Sequence, residues 1–447
     1  MCINLRTIFN PLGTILAHYR VSTSFCAIML LMAKRILSLV LFVSLATVNI
    51  GLIIANFRPA GVWFGPSSCY FSAKDFITRC NEVSCLLDGV NPFYVWNETI
   101  DKKPYYSNIH DRSTDAEHTE IINAYTPWSY TILMPIAALP RQVAWRIYHT
   151  IICLFLVLLC TLAYRHGKRF SGNVYGGLFA AALPLSLFIP TSFDMNVGNY
   201  NLIITSLIAL MAVLLDRGKI IPAAICWSLA MIKPQLAILF AIPLLIDRKI
   251  KVCIIAAVLC ILATIPPAIL CHESPITLIL QAPKASAYAF SGCALLPPEC
   301  LTALRSANFI PESFLLAIPM ALGVAACAFL SWRVRKSDDP FLCFAPAAIC
   351  AVSWTYVQGY SYILCAIVMI AMTADLIRRP TRGNILLCGA AILLMARMGR
   401  AFEIVVNAAL PSLNGLAAIV CSWSSTAAFI LVFIWLMSLP KNPNANA

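Results

Sequence analysis

A lysine stands alone among apolar residues in "AMIKPQLA", Ala230–Ala237. An ammonium is costly at membrane depth, so such a residue usually faces a water-filled cavity or serves function. Pro234 breaks the helical ladder beside it and frees backbone groups for a ligand. The bland alternative is that Lys233 snorkels to the interface. A second polar cluster is "NVGNYN", Asn196–Asn201. Gly198 permits a tight turn or a close approach, and the amides of Asn199 and Asn201 each donate and accept. A polar turn between two helices is the alternative. Arg397 and Arg400 in "LLMARMGRAFE" offer guanidinium groups that suit phosphate bidentately; the alternative is a headgroup anchor. The fourth candidate is Asp75, near the start of "SAKDFITRCNEVSCLLDGVNPFYVW", Ser72–Trp96. Its carboxylate can take a proton from a reacting hydroxyl. It also fits a capping box with Ser72 and an ion pair with Arg79 four residues on.

These groups need elements to hold them, and the composition says which. The chain of 447 residues is 60% hydrophobic and 11% charged, where a soluble domain carries roughly 25% charge. Its mean hydropathy is +0.82. Many apolar runs approach the ~20 residues that cross a bilayer as helix. The sequence therefore predicts an all-α polytopic membrane protein. The net charge of +13 points to topology rather than nucleic acid. Its basic clusters, at 164–169, 216–219, 247–251, 332–336 and 377–382, are short loops between apolar runs, as positive-inside topology requires.

Residues 1–33 read as a cytoplasmic or interfacial segment, broken by Pro11 and Gly13, and residues 34–438 as one transmembrane domain with a cytoplasmic tail at 439–447. Lys34 and Arg35 precede the first span, Ile36–Asn56, and put its start inside. Further spans are expected near 144–164, 172–190, 201–215, 220–232, 235–246, 252–271, 314–333, 341–356, 360–376, 384–402 and 415–438, about 12 crossings in all. The pair flanking Lys233 is short and can instead be a re-entrant hairpin. Trp128–Leu139 is too short to span and reads as re-entrant or interfacial. The outer face then collects the loop Phe57–Tyr125, Thr191–Asn201, Lys233, the loop Cys271–Ser313, Trp354–Tyr360 and Arg397–Leu413. The first loop holds nine of the 19 acidic residues. Within it, Phe76, Cys80, Val83 and Leu87 form a helical stripe, so an amphipathic helix on the outer membrane surface is expected.

Most of the 19 cysteines fall in apolar runs and read as small buried hydrophobes. Cys80 with Cys85, or Cys293 with Cys300, could pair in an oxidising compartment. No Cys-x-x-Cys metal spacing is present.

The order of these pieces resembles glycosyltransferase family 87, membrane enzymes of the GT-C type that use polyprenyl-phosphate-mannose. The resemblance lies in Asp75-Phe76 with a helix ending in "GVNPFY", in "YTPWSY" at Tyr125–Tyr130, in "GNYN" where the family often has Gly-Gln-x-Asn, in "KPQ" where it has Lys-Pro, and in Ser353-Trp354. Asn199 replaces the usual glutamine and Thr126 the first proline. No histidine follows Trp354, so Tyr356 or Gln358 would have to serve there. The resemblance implies an inverting, metal-independent hexosyltransferase, a mannosyltransferase by family habit, in the plasma membrane. It would need no cofactor. Its partners would be a polyprenyl-phosphate sugar donor, a glycolipid or glycan acceptor and membrane lipids, with no nucleic acid. By the same resemblance Asp75 is the base on the extracytoplasmic side. Lys233, Asn199, Asn201, Tyr94, Tyr125, Arg397, Arg400 and Gln358 would bind substrate. Two other classes stay open: a transporter or lipid flippase, expected to show repeated halves and mid-depth ionisable groups, and a non-catalytic assembly factor.

Overall fold

The computed structural model describes residues 32–54, 74–93, 125–289, 312–353, 359–396 and 414–440. These residues are helical throughout, with short turns. In chain order the helices are α1 (Met32–Ile54), α2 (Lys74–Leu87), α3 (Pro127–Ala137), α4 (Arg141–Ser171), α5 (Val174–Ser186), α6 (Phe188–Val197), α7 (Asn201–Asp216) and α8 (Ile220–Ala230). They continue as α9 (Pro234–Ile246), α10 (Ile250–Leu270), α11 (Pro275–Ala289), α12 (Glu312–Val334), α13 (Pro340–Ala351), α14 (Ala366–Arg378, entered through a 3-10 stretch Gly359–Cys365), α15 (Arg382–Met395) and α16 (Asn414–Ser438).

Four helical stretches are long and apolar enough to cross a membrane, α5 with α6 makes a fifth bent by 51°, and seven further apolar helices complete the set. The apolar units coincide one for one with the expected spans, but α7, α8, α9, α13 and α15 are shorter than a straight crossing needs. The chain is a polytopic membrane protein. Its lipid side is visible on α10, where Ile254, Val258, Ile261 and Ile265 are exposed at helical spacing. The opposite stripe, Val252, Ala256, Cys260 and Thr264, is buried. Both stripes are mainly apolar, so the exposed one suits hydrocarbon rather than water.

The core is built on α14, which is buried continuously from Ala366 to Asp375. A helix apolar all round must be covered all round; here α4, α5 and α13 pack on it. Its far end is tied down by Asp375, which accepts from Arg379 Nε (2.6 Å), Asn384 Nδ2 (3.0 Å) and Trp435 Nε1 (2.9 Å). Around it lie Arg378 with Asp338 and Arg169 with Asp216, both short ion pairs. The basic loops thus gather at one pole. The 16 residues of α7 run from Asn201 at the other pole to Asp216 here, about 24 Å at 1.5 Å per residue.

Three expectations need correction. Helix α2 does not present a polar face to solvent: its polar residues Thr78, Arg79, Glu82 and Ser84 are as buried as Phe76 and Val83. They are accommodated because Arg79 Nη1 donates to Glu82 Oε2 at 2.8 Å and Ser84 Oγ to Cys80 O at 2.9 Å. Arg79 therefore pairs with Glu82 rather than Asp75. Cys80 and Cys85 are both free thiols, and burial pushes Cys80 up to about 12. The loop beginning at Cys271 carries the helix α11. Ser72, Cys293, Cys300, residues 1–31 and the tail beyond 440 lie outside the described residues.

Candidate active site

A glycine sets the geometry. Gly198 ends α6 with φ +74° and its N–H closes on Asp194 O at 3.0 Å, an αL cap that a side chain resists. A Cβ there would lie 2.6 Å from Phe76 Cβ and 2.7 Å from the Trp145 ring. Only a residue without a side chain lets α2 approach this closely. The approach brings Asp75, the neighbour of Phe76, against Asn199, the neighbour of Gly198.

Asn199 Nδ2 donates to Asp75 Oδ2 at 2.6 Å. Its Oδ1 accepts from Tyr125 Oη (3.1 Å), Lys233 Nζ (3.3 Å) and the Tyr200 N–H (2.7 Å). Three donors on one side and a carboxylate on the other fix which way the amide faces. Burial holds the Tyr125 phenol well above its ordinary range, so it stays a neutral donor. The Tyr125 ring also carries the Arg79 guanidinium 4.1 Å from its centre.

Lys233 occupies the break between α8 and α9, where Pro234 starts the next helix at its first position. Its ammonium also donates to Asn201 Oδ1 at 3.2 Å. Asn201 in turn donates through Nδ2 to Asp194 Oδ1 at 2.6 Å. The arrangement is mirrored: two carboxylates, each held by an asparagine amide, whose carbonyls face one lysine. Two of the three ammonium protons are used in these bonds. The Tyr360 ring centre lies 5.1 Å from Nζ, so the cation also meets an aromatic face.

The two carboxylates differ in environment. Asp194 is fully buried and accepts from the N–H groups of Asn201 and Leu202 at the start of α7 (3.4 and 3.1 Å), where a negative charge suits a helix N-terminus. Asp75 is only half-buried. Its Oδ2 takes Asn199 and Tyr360 Oη (3.3 Å), while Oδ1 has no hydrogen-bond partner among the described residues. Of the two carboxylates, Asp75 is thus the one with an oxygen left open among the described residues. Beside it Phe193, 49% exposed, stacks on Tyr360 with centroids 5.8 Å apart.

Five of the residues expected from sequence, Asp75, Tyr125, Asn199, Asn201 and Lys233, therefore meet in one network. Tyr94, Gln358, Arg397 and Arg400 lie outside the described residues. Asp194 and Tyr360 were not singled out, although both stand in the outer stretches Thr191–Asn201 and Trp354–Tyr360. A carboxylate inside the apolar run "FIPTSFDMNV" was the available signal for Asp194. Among the described residues no three His, Cys, Asp or Glu side chains group as metal ligands would.

Comparison with known proteins agrees with the order of motifs. Neither the curated proteins nor the solved structures contain a match. The profile of glycosyltransferase family 87 matches residues 123–357, more than half of the chain. That stretch holds Tyr125, Asp194, Asn199, Asn201 and Lys233, while Asp75 and Tyr360 fall outside it. A polytopic chain whose matched stretch carries most of this buried polar network is accounted for by that match: it belongs to glycosyltransferase family 87 and is a membrane enzyme that transfers a sugar.

Proposed function

We propose that this enzyme takes a hexose, mannose by family habit, from a polyprenyl-phosphate donor and passes it to a glycolipid or glycan acceptor with inversion, without a metal. Asp75 Oδ1 accepts the proton of the acceptor hydroxyl as its oxygen attacks the anomeric carbon. The bond from that carbon to the phosphate oxygen breaks, and its electron pair leaves with polyprenyl phosphate. A positioned base is worth ~10²–10⁴-fold in rate. Charge builds on the departing phosphate, and Lys233, with a proton to spare, is placed to meet it.

The observation that carries the reading is the single amide, Asn199, joining Asp75 to Lys233. A base and a phosphate-binding cation must act within one substrate's length, and two hydrogen bonds span that gap. A transporter would keep Lys233 at mid-depth, remote from Asp75. Positive-inside topology supports the orientation: the basic pole at Arg169, Arg378 and Arg379 faces the cytoplasm and the Asp75 pole the opposite side. Transfer from a labelled polyprenyl-phosphate sugar by membrane vesicles tests the reading. A Lys233→Met enzyme that saturates with donor as the wild type does would contradict it.

A further inference from the structure

At the basic pole, the ends of α4 and α7 and the start of α13 enclose a cavity of about 370 Å³, within the size range of small-ligand sites. Leu162, Val213 and Phe341 give it an apolar wall, and Arg165, Arg169 and Arg217 line it from two helices. The charges are unequally spent. Arg169 Nη1 is 2.7 Å from Asp216 Oδ2, which neutralises it. His166, buried at the same wall, lies 3.4 Å from Asp339. Elsewhere at this pole, Arg378 is held by Asp338 and Arg379 by Asp375. Among the described residues the guanidinium groups of Arg165 and Arg217 have no such partner, yet both line this one concavity.

A half-apolar pocket lined by these two guanidinium groups, at the pole where the basic loops gather, suits a phosphate that arrives on an apolar tail. Guanidinium binds phosphate oxygens in pairs, and basic pockets between membrane helices take anionic headgroups. The length of α7, about 24 Å, separates this cavity from Asp75, so it is no extension of the transfer site. We infer that the cavity between α4, α7 and α13 is a second phosphate site, filled by the headgroup of an anionic phospholipid.

The test needs no sugar donor, so it stands or falls apart from the transferase reading. The full-length purified protein is titrated in neutral detergent with phosphatidylglycerol, phosphatidylcholine or inorganic phosphate, and thermal stability is followed. Phosphatidylglycerol should raise the melting temperature saturably, phosphatidylcholine should not, and Arg165→Gln/Arg217→Gln should weaken the response tenfold or more. Both arginines are exposed, so the variant should fold; Arg165→Lys/Arg217→Lys, which keeps the charge without the fork, should fall between. Stabilisation by inorganic phosphate alone, lost in the glutamine variant, would keep a phosphate site and reject the lipid as its source. Equal responses of wild type and glutamine variant to phosphatidylglycerol, or no response to any of the three, would overturn the inference.

Discussion

Replacing Asn199 by aspartate changes one atom and inverts the logic of the site. In the native chain Asn199 Nδ2 donates to Asp75 Oδ2 at 2.6 Å; in Asn199→Asp two carboxylate oxygens would face each other there. Two unit charges ~4 Å apart repel by roughly 4 kcal/mol at an effective dielectric of ~20, about three pK units. Lys233, 3.3 Å from the other end of the same side chain, offsets part of this, so the pair should hold a shared proton with its upper titration raised by about one to two units. The sign follows directly. A base whose titration is raised stays protonated to higher pH, so activity is lost below the new value and returns above it. The acid limb of kcat/KM should therefore move up by about one to two pH units, with a roughly 10–100-fold loss on that limb. Initial rates of sugar transfer in vesicles across pH 5–9 measure it. An unshifted limb with wild-type rate would refute the coupling of Asn199 to the base.

Lys233→Met should raise the donor concentration for half-saturation about 10–100-fold, the worth of a charged contact, as read from donor titrations of the transfer rate. Phe193→Ala, removing an exposed ring stacked on Tyr360, should raise KM for donor or acceptor severalfold while leaving the melting temperature within a degree or so, since exposed contacts add little to stability. Gly198→Ala must adopt φ +74° and push Phe76 and Trp145 apart; left-handed backbone and overpacking together cost about 2–5 kcal/mol, visible as a lowered melting temperature and lost activity. Cys80, buried and with its thiol pushed up to about 12, should resist maleimide until the protein is denatured. Topology should therefore be read from single cysteines at the exposed Ser274 and Lys336. Ser274→Cys should label from outside and Lys336→Cys only after permeabilisation.

How much of this was legible in the sequence depends on the scale of the signal. Apolar runs are long and redundant, so every expected span has a helix near its place. Membrane depth is not encoded by run length alone, and α8, α9 and α13 are too short to settle it. Lys233, Asn199, Asn201 and Asp75 were each legible as a polar group out of place, but none pointed to another, because their meeting depends on the close approach at Gly198. The burial of α2 was not legible. Its stripe of Phe76, Cys80, Val83 and Leu87 looks amphipathic, and only the partners of Arg79 and Glu82 reveal that the polar face is also enclosed. Asp194 was hidden for the opposite reason: a carboxylate that caps α7 from within an apolar helix resembles an ordinary turn residue until Asn201 and Leu202 are seen to donate to it. Tyr360 stands at the end of the outer stretch Trp354–Tyr360, and its role appears only through its bond to Asp75.

The central claim is that Asp75 takes the proton, and Asp75→Asn tests it most directly. The substitution keeps shape and leaves Asn199 and Tyr360 a side-chain oxygen to donate to, while removing the base. Vesicles containing equal amounts of folded wild-type and variant enzyme are supplied with labelled polyprenyl-phosphate-mannose and acceptor lipid. The account predicts transfer lowered by ~10²–10⁴-fold with donor binding and melting temperature close to wild type. Wild-type-like turnover by Asp75→Asn would contradict it, and an unfolded variant would make Asp75 a structural cap instead.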